Sequence, residues 1–244
     1  YIHHKPIVVT KQYQDEWGNC VSQLPGKCQV ILEGYGNQVE MGQVEIKKSL
    51  RIICGNNCKV SVENQVVFED DFRIIARELK AGESCEPVLD IGDNCKLFDG
   101  RIGLYGGELH IDNNCTFGNN ACFSAGHGMK ITIGRDCMFS HDVWVLCGDG
   151  HLIFDCITRQ PINSQSRLPA NKKEIKIGEH VWVGLRTVIL NGTEVGNGSV
   201  IGAGSFVKKS YTNNCMVVGN PARVIRRNIA WSRQPVDENI ALCG

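Results

Sequence analysis

Apolar residues recur at every sixth position along the C-terminal third of the chain. This spacing matches neither the 3.6-residue period of an amphipathic helix nor the unbroken alternation of a long strand. It predicts short strands joined by tight turns, in which the apolar residue and a smaller residue four positions later point inward. Three such hexads close one triangular coil, so we expect coils of about 18 residues. The apolar positions are Ile177, Val183, Ile189, Val195, Ile201 and Val207, and the smaller residues are Val181, Thr187, Thr193, Ser199 and Ser205.

The same register returns upstream with interruptions, and there the small inward residue is Cys. Examples are Ile91-Gly-Asp-Asn-Cys95 and Ile133-Gly-Arg-Asp-Cys137, with Cys58 and Cys115 in equivalent places. Free Cys usually behaves as a small buried hydrophobe. We therefore expect at least these four of the 13 Cys to be core residues. The odd number of Cys and the absence of any Cys-x-x-Cys pair argue against a disulfide framework and against a zinc site.

Charge and hydropathy narrow the class of protein further. The chain has 26 Lys and Arg against 26 Asp and Glu, and this balance argues against a nucleic-acid-binding protein. No apolar run approaches the roughly 18 residues that a membrane-spanning helix needs. The first residues do not have the charged-then-apolar layout of a signal peptide, so we expect a soluble, cytoplasmic protein.

The pattern divides the chain into three parts. Residues 1–50 show no clean hexads and are expected to form an N-terminal β cap or early coils. Residues 51–218 form the repetitive part, which is interrupted at 147–176 by a polar segment that we expect to leave the stack as a loop. Residues 219–244 are predicted to hold a short C-terminal helix and a tail. In that helix Asn220 is the N-cap, Pro221 is the first helical residue, and Val224, Ile225 and Ile229 are apolar positions at helical spacing.

Three segments carry a resemblance to a known family. They are Ile177-Gly-Glu-His-Val-Trp-Val-Gly184, Ile201-Gly-Ala-Gly-Ser-Phe-Val207 and Gly219-Asn-Pro-Ala-Arg-Val-Ile225. The chain resembles the hexapeptide-repeat acyltransferases, above all the O-acetyltransferases of bacterial capsule and surface-polysaccharide pathways. The resemblance implies an all-β, left-handed parallel β-helix. It also implies acetyl-coenzyme A as donor, a saccharide as acceptor, and a homotrimer with each active site between neighbouring coils.

The candidate catalytic residue lies in the polar segment. Transfer of an acetyl group to a sugar hydroxyl needs a base, and a neutral imidazole suits this role. The segment Asp149-Gly-His151 is similar to the family's catalytic histidine position, so the resemblance gives that role to His151. Asp149 and Asp155 would orient its ring or contact the acceptor, although both are equally typical turn residues. His127 is a candidate acceptor-binding residue, and His141 lies at a position that normally faces solvent.

The donor site is also implied by the resemblance. Trp182 would pack near the thioester, and Ala203 would offer main-chain contact to the pantetheine arm. The lysine and arginine side chains of this site would face the phosphates of the nucleotide. Taken singly, each cation is equally typical of a solvated face. Leu185 departs from the family pattern, in which a small polar residue is common. The residues that would frame the nucleotide are Lys208, Lys209, Pro221, Arg223 and Arg226.

These residues support direct attack of a sugar hydroxyl on the thioester, with neither a metal nor a covalent enzyme intermediate. Cys147 is a candidate acyl carrier, but Cys is the default small residue of this chain. Three alternatives remain open. They are an N-acetyltransferase of an amino-sugar nucleotide, a non-catalytic solenoid scaffold, and a zinc enzyme like the γ-class carbonic anhydrases. The last would need His127, His141 and His151 to converge on one ion, although their spacing differs from that family's.

Overall fold

The computed structural model describes residues 6–78, 86–164 and 168–234, and these residues form the predicted left-handed parallel β-helix. Their strands make three long sheets. Sheet A contains β1 (Ile7–Val9), β4 (Cys28–Leu32), β7 (Leu50–Cys54), β10 (Phe72–Ala76), β13 (Gly100–Leu104), β16 (Ala121–Ala125), β19 (Trp144–Cys147), β22 (Val188–Leu190) and β25 (Phe206–Val207). Sheet B contains β2 (Tyr13–Gln14), β3 (Cys20–Val21), β5 (Gln38–Met41), β8 (Lys59–Val62), β11 (Val88–Ile91), β14 (Glu108–Ile111), β17 (Lys130–Ile133), β20 (Glu174–Ile177), β23 (Glu194–Val195) and β26 (Ser210–Tyr211). Sheet C contains β6 (Val44–Ile46), β9 (Val66–Phe68), β12 (Lys96–Leu97), β15 (Thr116–Phe117), β18 (Met138–Phe139), β21 (Trp182–Val183), β24 (Val200–Ile201), β27 (Cys215–Val218) and β28 (Arg223–Arg227).

From β4 to β27 each coil contributes one strand to each sheet in the order A, B, C, and each strand pairs in parallel with its counterpart in the next coil. Three corners therefore run along the stack, which we call the A/B, B/C and C/A corners after the sheets that they join. The described part of the chain has one short 3₁₀ helix, Ala170–Lys172. No helix in that part is both long enough and apolar enough to span a bilayer.

The expected coil length holds only for the coils after the polar segment. Val188 pairs with Phe206, which gives a step of 18 residues. In the earlier coils Leu50 pairs with Phe72, a step of 22 residues, so the expectation was wrong there. Part of the extra length lies in the sheet A strands, which have five residues in earlier coils, such as Leu50–Cys54, and two or three in the later ones.

The inward positions predicted from the hexads are confirmed. All six apolar positions of the hexads and their five small companions are at most 2% exposed. Cys58, Cys95, Cys115 and Cys137 are at most 1% exposed, as expected for small core residues. Their thiols donate to backbone carbonyls of the next coil, for example from Cys137 Sγ to Gly178 O at 3.1 Å.

Antiparallel strands close both ends of the stack. At the start, β1 pairs with β4 and β2 pairs with β3. This arrangement covers strand edges that would otherwise expose unpaired backbone groups. The division of the chain at residues 50 and 218 stays a prediction.

The predicted C-terminal helix is wrong. Residues 223–227 are strand β28, which pairs antiparallel with β27. The β-branched Val224 and Ile225 favour a strand, and the free edge of β27 supplies a partner, so tertiary pairing outweighs the weak helical spacing. Residues 235–244, the predicted tail, lie outside the described residues.

Candidate active site

The polar segment leaves the stack at the A/B corner. It follows the end of β19 at Cys147 and returns at Glu174, where β20 begins. Within it, Ile162 N–H donates to Ile153 O at 2.8 Å, and Asp155 N–H donates to Gln160 O at 2.9 Å. These bonds make a small hairpin. We call residues 148–173 the excursion.

His151 lies at the foot of this hairpin, and its side chain is exposed. Asn163 holds the surrounding backbone, because its Nδ2 donates to the His151 carbonyl at 2.8 Å and to Asp149 Oδ2 at 2.9 Å. Asn163 Oδ1 also accepts from Ile153 N–H at 2.6 Å. Within the described residues no hydrogen bond involves the His151 ring, which leaves both ring nitrogens open to a substrate.

Asp155 is a turn residue of the hairpin. Its Oδ1 accepts from the N–H groups of Ile157 and Thr158 and from Thr158 Oγ1, at 2.6–3.0 Å. These bonds favour the ionised carboxylate and lower the pKa of Asp155. No described hydrogen bond joins Asp149 or Asp155 to the His151 ring.

His127 stands at the same corner, one coil earlier. Gly126 N–H donates to Cys147 O at 2.9 Å, so the turn that holds His127 lies directly below the start of the excursion. The Nδ1 atom of His127 is enclosed and has no hydrogen-bond partner among the described residues. Buried polar atoms are normally paired, so this atom is an exception at the foot of the candidate site.

His141 belongs elsewhere. It lies at the C/A corner, where its Nδ1 accepts from Asn119 N–H at 2.8 Å, and its side chain is exposed as predicted. The three histidines of the zinc alternative thus occupy two different corners. Within the described part of the chain no group of three or more His, Cys, Asp or Glu is arranged to hold a metal ion.

The predicted donor residues fall into two groups. Trp182 lies on sheet C, and Ala203 and Pro221 lie at the neighbouring C/A corner. Arg223 and Arg226 belong to β28, which covers the end of sheet C, so these five residues share one side of the stack. Lys208 and Lys209 instead lie at the A/B corner, between β25 and β26, on the side from which the excursion leaves.

A cleft of about 430 Å³ lies between sheet C and the returning C-terminal segment. This volume is within the range of small-molecule sites. Its wall combines two indole rings with one cation, Arg226. The described residues that line it are Trp182, Val200, Met216, Arg226, Asn228, Ile229, Ala230 and Trp231.

Trp231 is not among the predicted site residues, because the residues before it, from Pro221 to Ile229, are predicted to form a helix. Its ring stacks on His180 with centroids 4.1 Å apart, and it lies 6.0 Å from the Trp182 ring. Its Nε1 donates to His180 O at 2.9 Å. This contact joins residues that are far apart in the sequence, so no local pattern around Trp231 predicts it.

Arg233 fastens the same segment to the stack. Its Nε donates to Asp136 Oδ1 at 2.6 Å, and its Nη2 donates to Cys137 O at 2.7 Å. Asp136 Oδ2 in turn lies 2.6 Å from His180 Nδ1. Residues 228–234 are therefore a strap that forms one wall of the cleft beside Trp182.

Cys147 is an unsuitable nucleophile in this structure. Its side chain is 1% exposed, and burial raises the pKa of its thiol to about 12. The thiolate is the reactive form of Cys, and it is scarce at neutral pH when the pKa is raised in this way.

Three comparisons with known proteins agree with this geometry. The family described as "Bacterial transferase hexapeptide (six repeats)" matches residues 174–209. The polysialic acid O-acetyltransferase of Escherichia coli O1:K1 / APEC is 33% identical over 152 residues, which are 62% of this chain and 47% of that protein. The polysialic acid O-acetyltransferase of Neisseria meningitidis is 31% identical in an alignment of 168 positions, which covers 59% of this chain and 74% of that protein.

The crystal structure of the polySia specific acetyltransferase NeuO is similar to this chain over almost its whole length. The TM-score is 0.74 at 32% identity, and the match covers 88% of this chain and 87% of that one. The chain spans less than half of the Escherichia coli relative named above.

Proposed function

The chain belongs to the hexapeptide-repeat acyltransferase family, and from this premise we propose that it is an acetyl-coenzyme A-dependent O-acetyltransferase of a surface polysaccharide. The observation that carries the proposal is the similarity, over 88% of the chain, to an acetyltransferase specific for polysialic acid. The acceptor in our proposal is a saccharide hydroxyl group.

His151 is the general base of the proposed reaction. Its exposed ring takes the proton from the acceptor hydroxyl as the hydroxyl oxygen attacks the thioester carbonyl. A backbone N–H stabilises the oxyanion that forms, the carbon–sulfur bond then breaks, and the proton on His151 passes to the leaving sulfur. Transfer is direct, and the buried state of Cys147 supports this route over one through an acyl-enzyme.

Asn163 and the hairpin position His151 rather than take part in the chemistry. The bonds from Asn163 to Asp149 and to the His151 carbonyl fix the loop where the imidazole emerges. Asp155 stabilises the turn at the other end of the hairpin. We retain His127 as an acceptor-binding residue, since its enclosed Nδ1 lies at the foot of the excursion without a partner among the described residues.

The donor occupies the side of the late coils in this proposal. Trp182 and Trp231 offer apolar surface for the thioester end, and Ala203 contacts the pantetheine arm. Coenzyme A carries phosphates on its nucleotide, which exposed guanidinium and ammonium groups bind well. Arg223 and Arg226, with Pro221 beside them, supply these groups on the donor side, whereas Lys208 and Lys209 lie at the A/B corner and would reach the donor only from a neighbouring copy of the chain.

A complete site requires more than one copy of the chain in this account. The excursion leaves from the A/B corner, whereas Trp182 and Arg226 lie on the side of sheet C. We therefore propose a homotrimer in which the excursion of one copy reaches the donor side of its neighbour. Because acetyl-coenzyme A is made inside the cell, the proposed reaction takes place in the cytoplasm.

The test is release of the coenzyme A thiol from acetyl-coenzyme A, with acidic and neutral oligosaccharides as acceptors. Wild type is compared with His151→Ala, and His141→Ala serves as the control because His141 is also exposed. Loss of the base should lower kcat at least about 100-fold in His151→Ala, and His141→Ala should stay near wild type. Mild alkali should then remove the acetyl group from the product, as expected for an ester.

Three results would contradict the proposal. An alkali-stable product would identify an amine acceptor and an N-acetyltransferase. Full activity in His151→Ala would show that His151 is not the general base. If the wild-type protein does not bind coenzyme A, the remaining interpretation is a non-catalytic solenoid scaffold.

A further inference from the structure

The outward face of sheet A carries a ladder of arginines in the early coils. Arg51 on β7, Arg73 on β10 and Arg101 on β13 occupy the same register position on three consecutive strands. Neighbouring strands are about 4.8 Å apart, so the three arginines emerge from one line along the stack. All three side chains are exposed.

A groove follows this ladder. One hollow of about 750 Å³ is lined by Arg51 and Arg73 together with Lys27 and Lys48. A second of about 320 Å³ continues from Arg73 to Arg101 and Trp144. Arg73 lines both hollows, so they adjoin each other, and we call the two together the arginine groove.

The positive charge of the arginine groove is largely uncompensated. Within the described residues no salt bridge reaches Arg51, Arg73 or Arg101. The carboxylate that lines the groove is Asp71, whose Oδ1 accepts from Ser49 Oγ at 2.6 Å. Lys48 pairs with Asp70 at 2.7 Å, so the excess charge resides mainly on the arginines.

Sheet B shows what a merely solvated face looks like in the same molecule. Its outward lysines are matched by carboxylates, with Lys59 on Glu86 at 2.8 Å, Lys130 on Glu108 at 3.2 Å and Lys176 on Glu174 at 3.1 Å. The two sheets share one coil geometry and differ in their outward charges. The arginine ladder is therefore a local property of sheet A and not a consequence of the repeat.

The groove leads to the candidate active site. The Arg101 guanidinium lies 5.1 Å from the centre of the Trp144 ring, and its Nε donates to Cys122 Sγ at 3.2 Å. Trp144 is the first residue of β19, and this strand ends where the excursion with His151 begins. A polymer in the groove would thus extend toward the coil that carries the base.

We propose that the arginine groove binds a polyanionic polysaccharide, the acidic form of the acceptor class. This inference rests on the proposed function for the identity of the acceptor as a saccharide. A polymer of acidic sugars presents carboxylates at regular intervals, and the planar guanidinium forms paired hydrogen bonds with a carboxylate. The Trp144 ring adds a flat apolar surface of the kind that packs against sugar rings. The groove holds the chain while His151 acts on one hydroxyl.

Equilibrium binding of polysialic acid, measured without acetyl-coenzyme A, tests this directly. The variant is Arg51→Gln/Arg73→Gln, and the control is Lys59→Gln/Lys130→Gln, which removes the same charge from sheet B. We expect the arginine variant to bind about tenfold more weakly and the control to bind within twofold of wild type. Wild-type binding should weaken as salt is raised, and uncharged dextran should not bind.

Footprinting of the wild-type protein covers the case in which the arginine variant does not fold. Phenylglyoxal modifies exposed arginines, and polysialic acid should protect Arg51 and Arg73 but not Arg135 or Arg186, which lie at the B/C and C/A corners. Unchanged polymer binding in the folded arginine variant, or protection only at Arg135 and Arg186, would overturn the proposal. Because the donor is absent, this result is independent of whether acetyl transfer occurs.

Discussion

The coils before the excursion are longer than those after it, and larger side chains fill them. The step from Leu50 to Phe72 is 22 residues, whereas the step from Val188 to Phe206 is 18. Along the inward column of sheet C, two successive phenylalanines give way to smaller β-branched residues once the coils shorten. In register, that column contains Phe117, Phe139, Val183, Ile201 and Val217.

The polar groups buried at the corners also differ between the two regions. In the early coils the buried thiols donate to carbonyls of the next coil, as Cys115 Sγ does to Gly134 O at 3.2 Å. In the late coils four of the inward corner residues carry hydroxyls instead, although Cys215 keeps a thiol, and the hydroxyls of Ser199 and Ser205 also accept. Ser199 Oγ donates to Thr212 O at 3.3 Å and accepts from Cys215 N–H at 3.1 Å. A hydroxyl is the better acceptor, so it suits a corner where a backbone N–H needs a partner.

The two regions also carry different candidate binding surfaces. The long early coils carry the arginine groove on sheet A, and the short late coils carry the cleft beside Trp182. The excursion with His151 lies where the two regions meet. We therefore propose that the first region recognises the acceptor and the second region recognises the donor.

The largest expected effect comes from the aromatic column of the early coils. Phe117 is fully buried and packs on Phe123 and Phe139 with centroids 5.3 and 4.9 Å apart. Phe117→Ala should lower the free energy of unfolding by about 4 kcal/mol, because it leaves a large cavity in a packed interior. The matched Val183→Ala in the late coils should cost about 2 kcal/mol. Urea unfolding measures both, and equal losses would contradict the difference in packing.

The corners give a smaller effect. Ser199→Ala leaves the buried Cys215 N–H without its acceptor, so we expect a loss of about 2 kcal/mol. Cys115→Ala removes a weak thiol contact and a small volume, and should cost about 1 kcal/mol. Denaturation of both variants under the same conditions checks the order. A larger loss for Cys115→Ala would show that the hydroxyl has no special role.

The same contrast explains what the sequence could predict. Hexads from Ile177 to Val207 are regular because each short coil repeats one local pattern, and their inward residues are all buried as predicted. The early coils hide their period behind extra residues, so the sequence predicts only separate hexads there, such as the one that begins at Ile91 and the run from Ile133 to Val145. A buried position is a local property, and local patterns reveal it.

Features that depend on contacts between distant residues could not be predicted from the sequence. The strand at residues 223–227 forms because β27 has a free edge. The sequence of residues 223–227 gives no indication of that edge. The contact of Trp231 with His180 joins residues 51 positions apart. The arginine ladder spans residues 51 to 101 across coils of unequal length, so no fixed period aligns its members.

The measurement that tests the division of work most directly is a crossed binding experiment. Arg51→Gln/Arg73→Gln and Trp182→Ala/Arg226→Gln are each titrated with polysialic acid and, separately, with coenzyme A. We expect the first variant to lose affinity for the polymer about tenfold and to keep its Kd for coenzyme A, and the second to show the reverse. If both variants lose both ligands, or if the two losses are exchanged, the assignment of acceptor and donor to separate regions is contradicted.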